Sequence, residues 1–247
     1  MPNILALDTS SDYCSVSLYT NGHYYSHSEL APRSHTQLLL PMAKAIVDSH
    51  GLELNQLDAV AFGCGPGSFT GLRIAAGVAQ GLAYGLGCSI YPVSNLKAMA
   101  LQAYKKTGQK KVLVAIDARM NEVYWSVSQI NTFEGHTSVA TIGVEHVSTP
   151  ESLVLADTVL DEQKGAAAKK ESEGLVGIGS GFNFLTRLPL DVQQRISHID
   201  ASARPKADEV CELALHAYQQ GQAGGLTEAM PSYIRDTVTW KKLPGRT

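Results

Sequence analysis

Short apolar runs separated by turn residues fill the first hundred positions. Asn3 to Asp8 (NILALD) is apolar up to a terminal carboxylate and predicts a strand. Cys14 to Tyr19 alternates and predicts a second strand, and His23 to Leu30 a third. Asn21-Gly22 between them is a strong type I′ hairpin signal. Pro32-Arg33-Ser34 breaks the chain, and a helix follows from His35 to Ser49 with Leu38, Leu39, Met42 and Ile46 inward. Leu57 to Phe62 reads as a buried strand that Gly63, Gly65, Pro66 and Gly67 end in a tight turn. Ser68 caps a helix running to Leu86. Cys88 to Val93 is a fifth strand, and Ser94-Asn95 opens a helix to Tyr104.

The polar run Lys105 to Lys110 divides the chain, giving expected lobes at 1–106 and 107–247. Beyond it the pattern partly restarts. Val112 to Asp117 ends in a carboxylate, and Val123 to Ile130 and Ser138 to Val147 supply the next strands. Thr149-Pro150-Glu151 reads as a helix start, Asp161 to Gly174 as an exposed connection, and Leu175 to Ile178 as a strand entering Gly179-Ser180-Gly181. Ala207 to Gln220 is amphipathic, with Val210, Leu213, Ala214 and Ala217 inward; the final Pro231 to Arg235 stretch is extended and expected to pack back on the first lobe. A three-strand meander extended by parallel βα units is the ribonuclease-H-like arrangement. Its duplicated form is the actin-like (ASKHA) architecture, here α/β with two lobes and a reduced second one.

The helix from Ser68 to Leu86 carries two stripes of small residues. Gly67, Gly71, Ala75, Ala79 and Ala83 recur every four residues on one face; Gly77, Gly81 and Gly85 mark another. Each interior Gly costs a helix roughly 1 kcal/mol relative to Ala, so close approach of a neighbour is the expected compensation. One neighbour inside the fold and one outside it is one reading; both stripes packing within the monomer is the other. The preceding turn lacks the Gly-Lys-Ser/Thr of a P-loop and the spacing of a Rossmann turn.

Composition narrows the classes. The 247 residues carry 20 basic and 23 acidic side chains, net charge −3, without the basic excess of a self-sufficient nucleic-acid binder. Met1-Pro2-Asn3-Ile4 enters a strand with no basic leader, and no apolar run reaches membrane-spanning length. Cys14, Cys64, Cys88 and Cys211 are scattered without a C-x-x-C pair, so a cytoplasmic location with reduced thiols is expected.

Asp8 with Thr9 and Ser10 stands where a first strand meets its turn, a position that in this architecture faces a nucleotide's phosphates and metal. Asp117 is its counterpart in the second half. Together they form a candidate magnesium site; the plainer reading is two strand-end carboxylates satisfying local N–H groups, which Arg119 beside the expected phosphate turn favours. Gly179 and Gly181 could let a purine approach the backbone. Arg119, Glu122 and Tyr124 sit beside Asp117 and Trp125, with an Arg119–Glu122 pair across the turn as the simplest reading. His23 and His27 fall on the expected hairpin and His35 at a helix start, so they do not present two ligands on one helix face, and no Ser-His-Asp or Cys-His signature is present.

Five segments together resemble the bacterial TsaB (YeaZ) family: LALDTS, SHTQLLLPM (Ser34 to Met42), GCGPGSFTGLRI (Gly63 to Ile74), IDARMNEVYW (Ile116 to Trp125) and PSYIRDTVTW (Pro231 to Trp240). The resemblance implies an actin-like fold and a part in forming N6-threonylcarbamoyladenosine (t6A) on tRNAs that read codons beginning with adenine. It implies a non-catalytic scaffold for the paralogue TsaD, with the ATPase TsaE joining and tRNA bound only through the complex. TsaD carries a metal-binding Val-Asn-His-x-x-x-His type segment. Here Val93 to Met99 places Asn95 and Met99 at the two histidine positions, so no catalytic metal is implied. No cofactor is expected beyond weak ATP or ADP binding. Expected contacts with TsaD, or with a second copy, are Leu38, Leu39, Met42, Gly71, Leu72, Ala75, Ala76, Val78 and Ala79. The rival readings are an ASKHA-type ATPase or phosphotransferase using Asp8 and Asp117, and a metal-independent peptidase.

Overall fold

Two five-stranded sheets are built by the same strand sequence used twice. In the computed structural model, which describes residues 1–133, 136–155, 174–222, 224–226 and 229–235, the first sheet holds β1 (Ile4–Asp8), β2 (Tyr13–Thr20), β3 (His23–Leu30), β4 (Ala59–Gly65) and β5 (Ser89–Ser94). The second holds β6 (Lys111–Arg119), β7 (Glu122–Phe133), β8 (His136–Ser148), β9 (Leu175–Ile178) and β10 (Ile196–Asp200). Their orders are β3-β2-β1-β4-β5 and β10-β9-β6-β7-β8. Each is an antiparallel meander whose first strand also pairs in parallel with the fourth, β1 with β4 and β6 with β9. This is the duplicated arrangement expected from the strand pattern.

Among the described residues the helices are α1 (His35–Asp48), α2 (Phe69–Leu86), α3 (Asn95–Thr107), α4 (Leu190–Arg195) and α5 (Ala207–Gln219). Between β9 and β10, a 3₁₀ segment (Ser180–Arg187) and the six-residue α4 stand where the first half has the 18-residue α2. Among the described residues, that connection is where the second half is shorter. Thr149 and Pro150 start only a 3₁₀ turn, Pro150–Ser152. The Asp161 to Gly174 connection lies almost wholly outside the described residues.

Both faces of the first sheet are covered, which is why β1 and β4 read as continuous apolar runs. Leu5, Leu7, Val60 and Phe62 point toward α1 and α2. On the other face the side chains are smaller, and Ile4, Ala6, Ala59 and Ala61 receive Ala207, Val210, Cys211 and Ala214 of α5. Conversely, Leu96, Met99, Ala100 and Ala103 of α3 pack on Val112, Val114, Ile130, Val176 and Ile178 of the second sheet. Each sheet therefore carries a helix from the other half of the sequence.

The α2 stripes divide cleanly. Gly71, Leu72, Ala75, Ala76, Ala79 and Ala83 are buried in the monomer. Gly77, Gly81 and Gly85 are exposed, and a Cβ added at any of them would meet nothing within 4 Å. This corrects the expected contact set. Leu39 and Met42 of α1, with Ala75, Ala76 and Ala79, are core residues beneath the helices, and Gly71 and Leu72 are equally enclosed. Leu38 and Val78 are only partly buried, against that same core. The side that an outside neighbour can reach is the other stripe.

Candidate site between the two sheets

A cleft of about 620 Å³ opens where the β1–β2 turn and the start of α2 face the end of β6 and the turn after β9. Ser10, Pro66 and Thr70 line one wall, and Asp117, Ser180 and Arg119 the other. Its first wall depends on two glycines. A Cβ on Gly71 would sit 1.9 Å from the Thr9 carbonyl oxygen, and one on Gly67 2.8 Å from Ser10. With no Cβ at either position, the strand turn lies directly on the first turn of α2. Thr9 Oγ1 donates to the Gly71 carbonyl (2.7 Å) and the Ser68 N–H to the Ser10 carbonyl (2.8 Å). Ser68 Oγ accepts from the Gly71 N–H, as an N-cap should.

Asp8 is sealed behind this contact. It is fully buried and absent from the cleft lining. Its Oδ1 accepts from the Ser10 N–H and hydroxyl at 3.1 and 2.9 Å. Burial pushes its carboxyl up to about 6, against the opposing pull of the Ser10 bonds. Oδ2 lies on the side-chain-free face of Gly63, where a Cβ would be 2.0 Å from it and 2.4 Å from Asn95 Oδ1. Asn95 is fully buried too; its Nδ2 donates to the Pro66 carbonyl (3.1 Å), while Oδ1 has no hydrogen-bond partner among the described residues. Met99, one turn later, is 1% exposed and packs at the floor of the cleft.

Asp117 faces the cleft, so the candidate carboxylate pair is not assembled on one surface. Its Oδ1 accepts from the Arg119 N–H (2.8 Å), and the Arg119 guanidinium lies 3.6 Å from Oδ2. The Asp117 N–H donates to Ser180 Oγ (3.0 Å). Gly179 and Gly181 are required by packing. A Cβ on Gly179 would lie 2.3 Å from the Ala115 carbonyl, and one on Gly181 2.7 Å from the Ala115 Cβ. Their bare faces are filled by β6 and leave no room there for a purine. The expected Arg119–Glu122 pair is also replaced: Glu122 pairs with Arg235. The extended 231–235 stretch carried no pattern that points to this contact, which joins residues 113 positions apart.

Cys14, Cys64 and Cys211 are buried, with thiols pushed up by burial to about 11, 12 and 12. They are thiols, not thiolates, at neutral pH. His23 and His27 lie on β3, and His35 starts α1 with its Nε2 buried and without a hydrogen-bond partner among the described residues. Among the described residues no three His, Cys, Asp or Glu side chains group to hold a metal.

Residues 26–243 match the family model for TsaD, tRNA N6-adenosine threonylcarbamoyltransferase. The tRNA threonylcarbamoyladenosine biosynthesis protein TsaB of Haemophilus influenzae is 39% identical over 98% of both chains. The protein of the same name from Escherichia coli is 36% identical, covering 98% of this chain and 99% of its own. The chain belongs to the TsaB family. YeaZ from Pseudomonas aeruginosa has the same architecture, with a TM-score of 0.80 at 39% identity over 94% of this chain and 100% of that one. A further structure, described as an uncharacterized protein with similarity to peptidase YEAZ from Pseudomonas aeruginosa, gives 0.81 at 40% identity over 95% and 100%.

Proposed function

We propose that this chain is a non-catalytic, cytoplasmic subunit of the machinery that forms t6A on tRNA, acting as a scaffold for TsaD, with TsaE joining the complex. The observation that carries the reading is at the start of α3. Asn95 and Met99 stand where a TsaD-type segment has two histidines, and both are committed to buried packing. An amide and a thioether in those places do not replace two imidazoles. The full-length likeness to proteins named for threonylcarbamoyladenosine biosynthesis supports the assignment to that process. No helix among the described residues is long and apolar enough to cross a membrane.

The docking face for TsaD, or for a second copy in its absence, is the exposed Gly77–Gly81–Gly85 side of α2, where a facing helix can approach closely. The polar cleft is compatible with weak ATP or ADP binding, while the enclosure of Asp8 argues against a phosphotransferase built on Asp8 and Asp117. Co-purification with TsaD, with and without ATP and TsaE, tests the scaffold, and a turnover assay on the isolated chain tests its rivals. Stable association with TsaD and no hydrolysis of ATP or peptides is the expected result. Efficient ATP hydrolysis by the chain alone, lost on changing Asp117, would replace this reading with the enzyme.

A further inference from the structure

We propose that residues 229–235 form a latch that ties the two sheets together across the mouth of the cleft and sets its width. Ala229 is fully buried in the core beneath α1 and α2, and its carbonyl accepts from Gln80 Nε2 (2.6 Å). The Ser232 N–H donates to the Cys64 carbonyl at the end of β4 (2.7 Å). Gly65 makes the seat: its φ is +124°, and a Cβ there would stand 2.7 Å from the Ser232 carbonyl oxygen. The Tyr233 hydroxyl accepts from Arg73 Nε (3.0 Å), and its ring lies 5.6 Å from that of Phe69. All of these contacts are with the first half of the chain.

The next two residues cross to the other side. Ile234 packs against the cluster that joins α3 to the second sheet. The Arg235 guanidinium donates to the Ala118 carbonyl (3.2 Å), pairs with Glu122 and lies 5.9 Å from the centre of the Tyr124 ring. Ala118 and Glu122 are the two shoulders of the β6–β7 turn. Between them Arg119, Met120 and Asn121 have φ of +63°, +53° and +61°, three successive left-handed residues of which none is glycine. Such a turn is unfavourable on its own, and Arg235 grips both its ends. Phe69 and Arg235 themselves line the cleft. Widening the cleft therefore requires releasing one anchor or the other, and each anchor depends on the short chain between them.

The test is amide hydrogen exchange on the full chain, comparing wild type with Tyr233→Ala and Arg235→Ala. Tyr233 is half exposed and its side chain meets Phe69 and Arg73 at the surface, so its removal should leave the fold intact, as a melting curve will show. A latch requires that Tyr233→Ala speed exchange at residues 118–124, which it does not touch, by about tenfold. Arg235→Ala should do the same there and also loosen the start of α2. Acceleration confined in each variant to the peptides that the lost side chain contacts, or absent altogether, would overturn the proposal.

Discussion

Replacing Asp8 by Asn should stabilise the protein at neutral pH and leave it unchanged near pH 4. In the folded chain burial raises this carboxyl from 3.8 to about 6, while in the unfolded chain it titrates near its ordinary value of about 3.9. Between those two values the folded state holds a proton that the unfolded state has released. Stability therefore falls as pH rises through that window and stays level above it. Two units at about 1.4 kcal/mol each amount to about 3 kcal/mol. Asparagine removes the ionisation and little else: its carbonyl can accept the two Ser10 bonds, and its amide can donate toward Asn95 Oδ1, which has no hydrogen-bond partner among the described residues. Calorimetry of both proteins at pH 4 and pH 7 reads the effect. At pH 7 the variant should melt roughly 6–12 °C higher, since about 2–4 °C per kcal/mol is usual at this size. A difference of equal size at both pH values would refute the reasoning, because it would show that the carboxyl does not change its proton between them.

The two faces of α2 should respond oppositely to bulk. Ala79→Trp overpacks a fully buried position and should lower stability by about 1–3 kcal/mol or more. Gly81→Trp meets open space, so its melting curve should match wild type while its affinity for TsaD, or for a second copy, falls about tenfold, a change of about 1.4 kcal/mol. Unchanged association measured by ultracentrifugation would move the interface elsewhere. Elemental analysis should find no stoichiometric zinc or iron, and about one metal per chain, lost on changing Asp8 or His35, would contradict that. With net charge −3, the isolated chain should bind tRNA weakly and with steep salt dependence; tight binding in a filter assay at physiological salt would show that folding gathers a basic patch.

Elements whose signals are local were legible in the sequence. The β2–β3 turn and the bounds of β3 were expected to the residue, with β2 one residue longer at each end, because Asn21-Gly22 takes the two positive φ angles that a type I′ turn needs. The start and end of α2 follow from Ser68 as N-cap and from Gly87 in the left-handed region just past the last turn. The duplicated sheets followed from order alone. Strand β10 carried too weak a pattern: Ile196–Asp200 is a half-exposed edge strand whose five residues mix apolar and polar types without strict alternation.

The candidate site was legible in part. That Asp8 and Asp117 end corresponding strands could be read from their positions. That one would be sealed behind Ser10 and the other face a cleft depends on how closely α2 lies against the β1–β2 turn. The glycines at positions 67, 71, 179 and 181 announced close approach without naming the neighbour, which proved to be another segment of the same chain in every case. The direction of each α2 stripe was equally undetermined, since glycine and alanine carry too little hydrophobic contrast to mark an inner face. Arg235 shows the limit most plainly. Its partners lie more than a hundred residues away, and no local pattern encodes a contact that exists only once two sheets and the strap between them have been brought together. The sequence by itself determined the elements, their order and the repeat. Tertiary packing decided which polar groups are buried, which face water and which side chain meets which, because those depend on distances between segments that the chain's local preferences do not set.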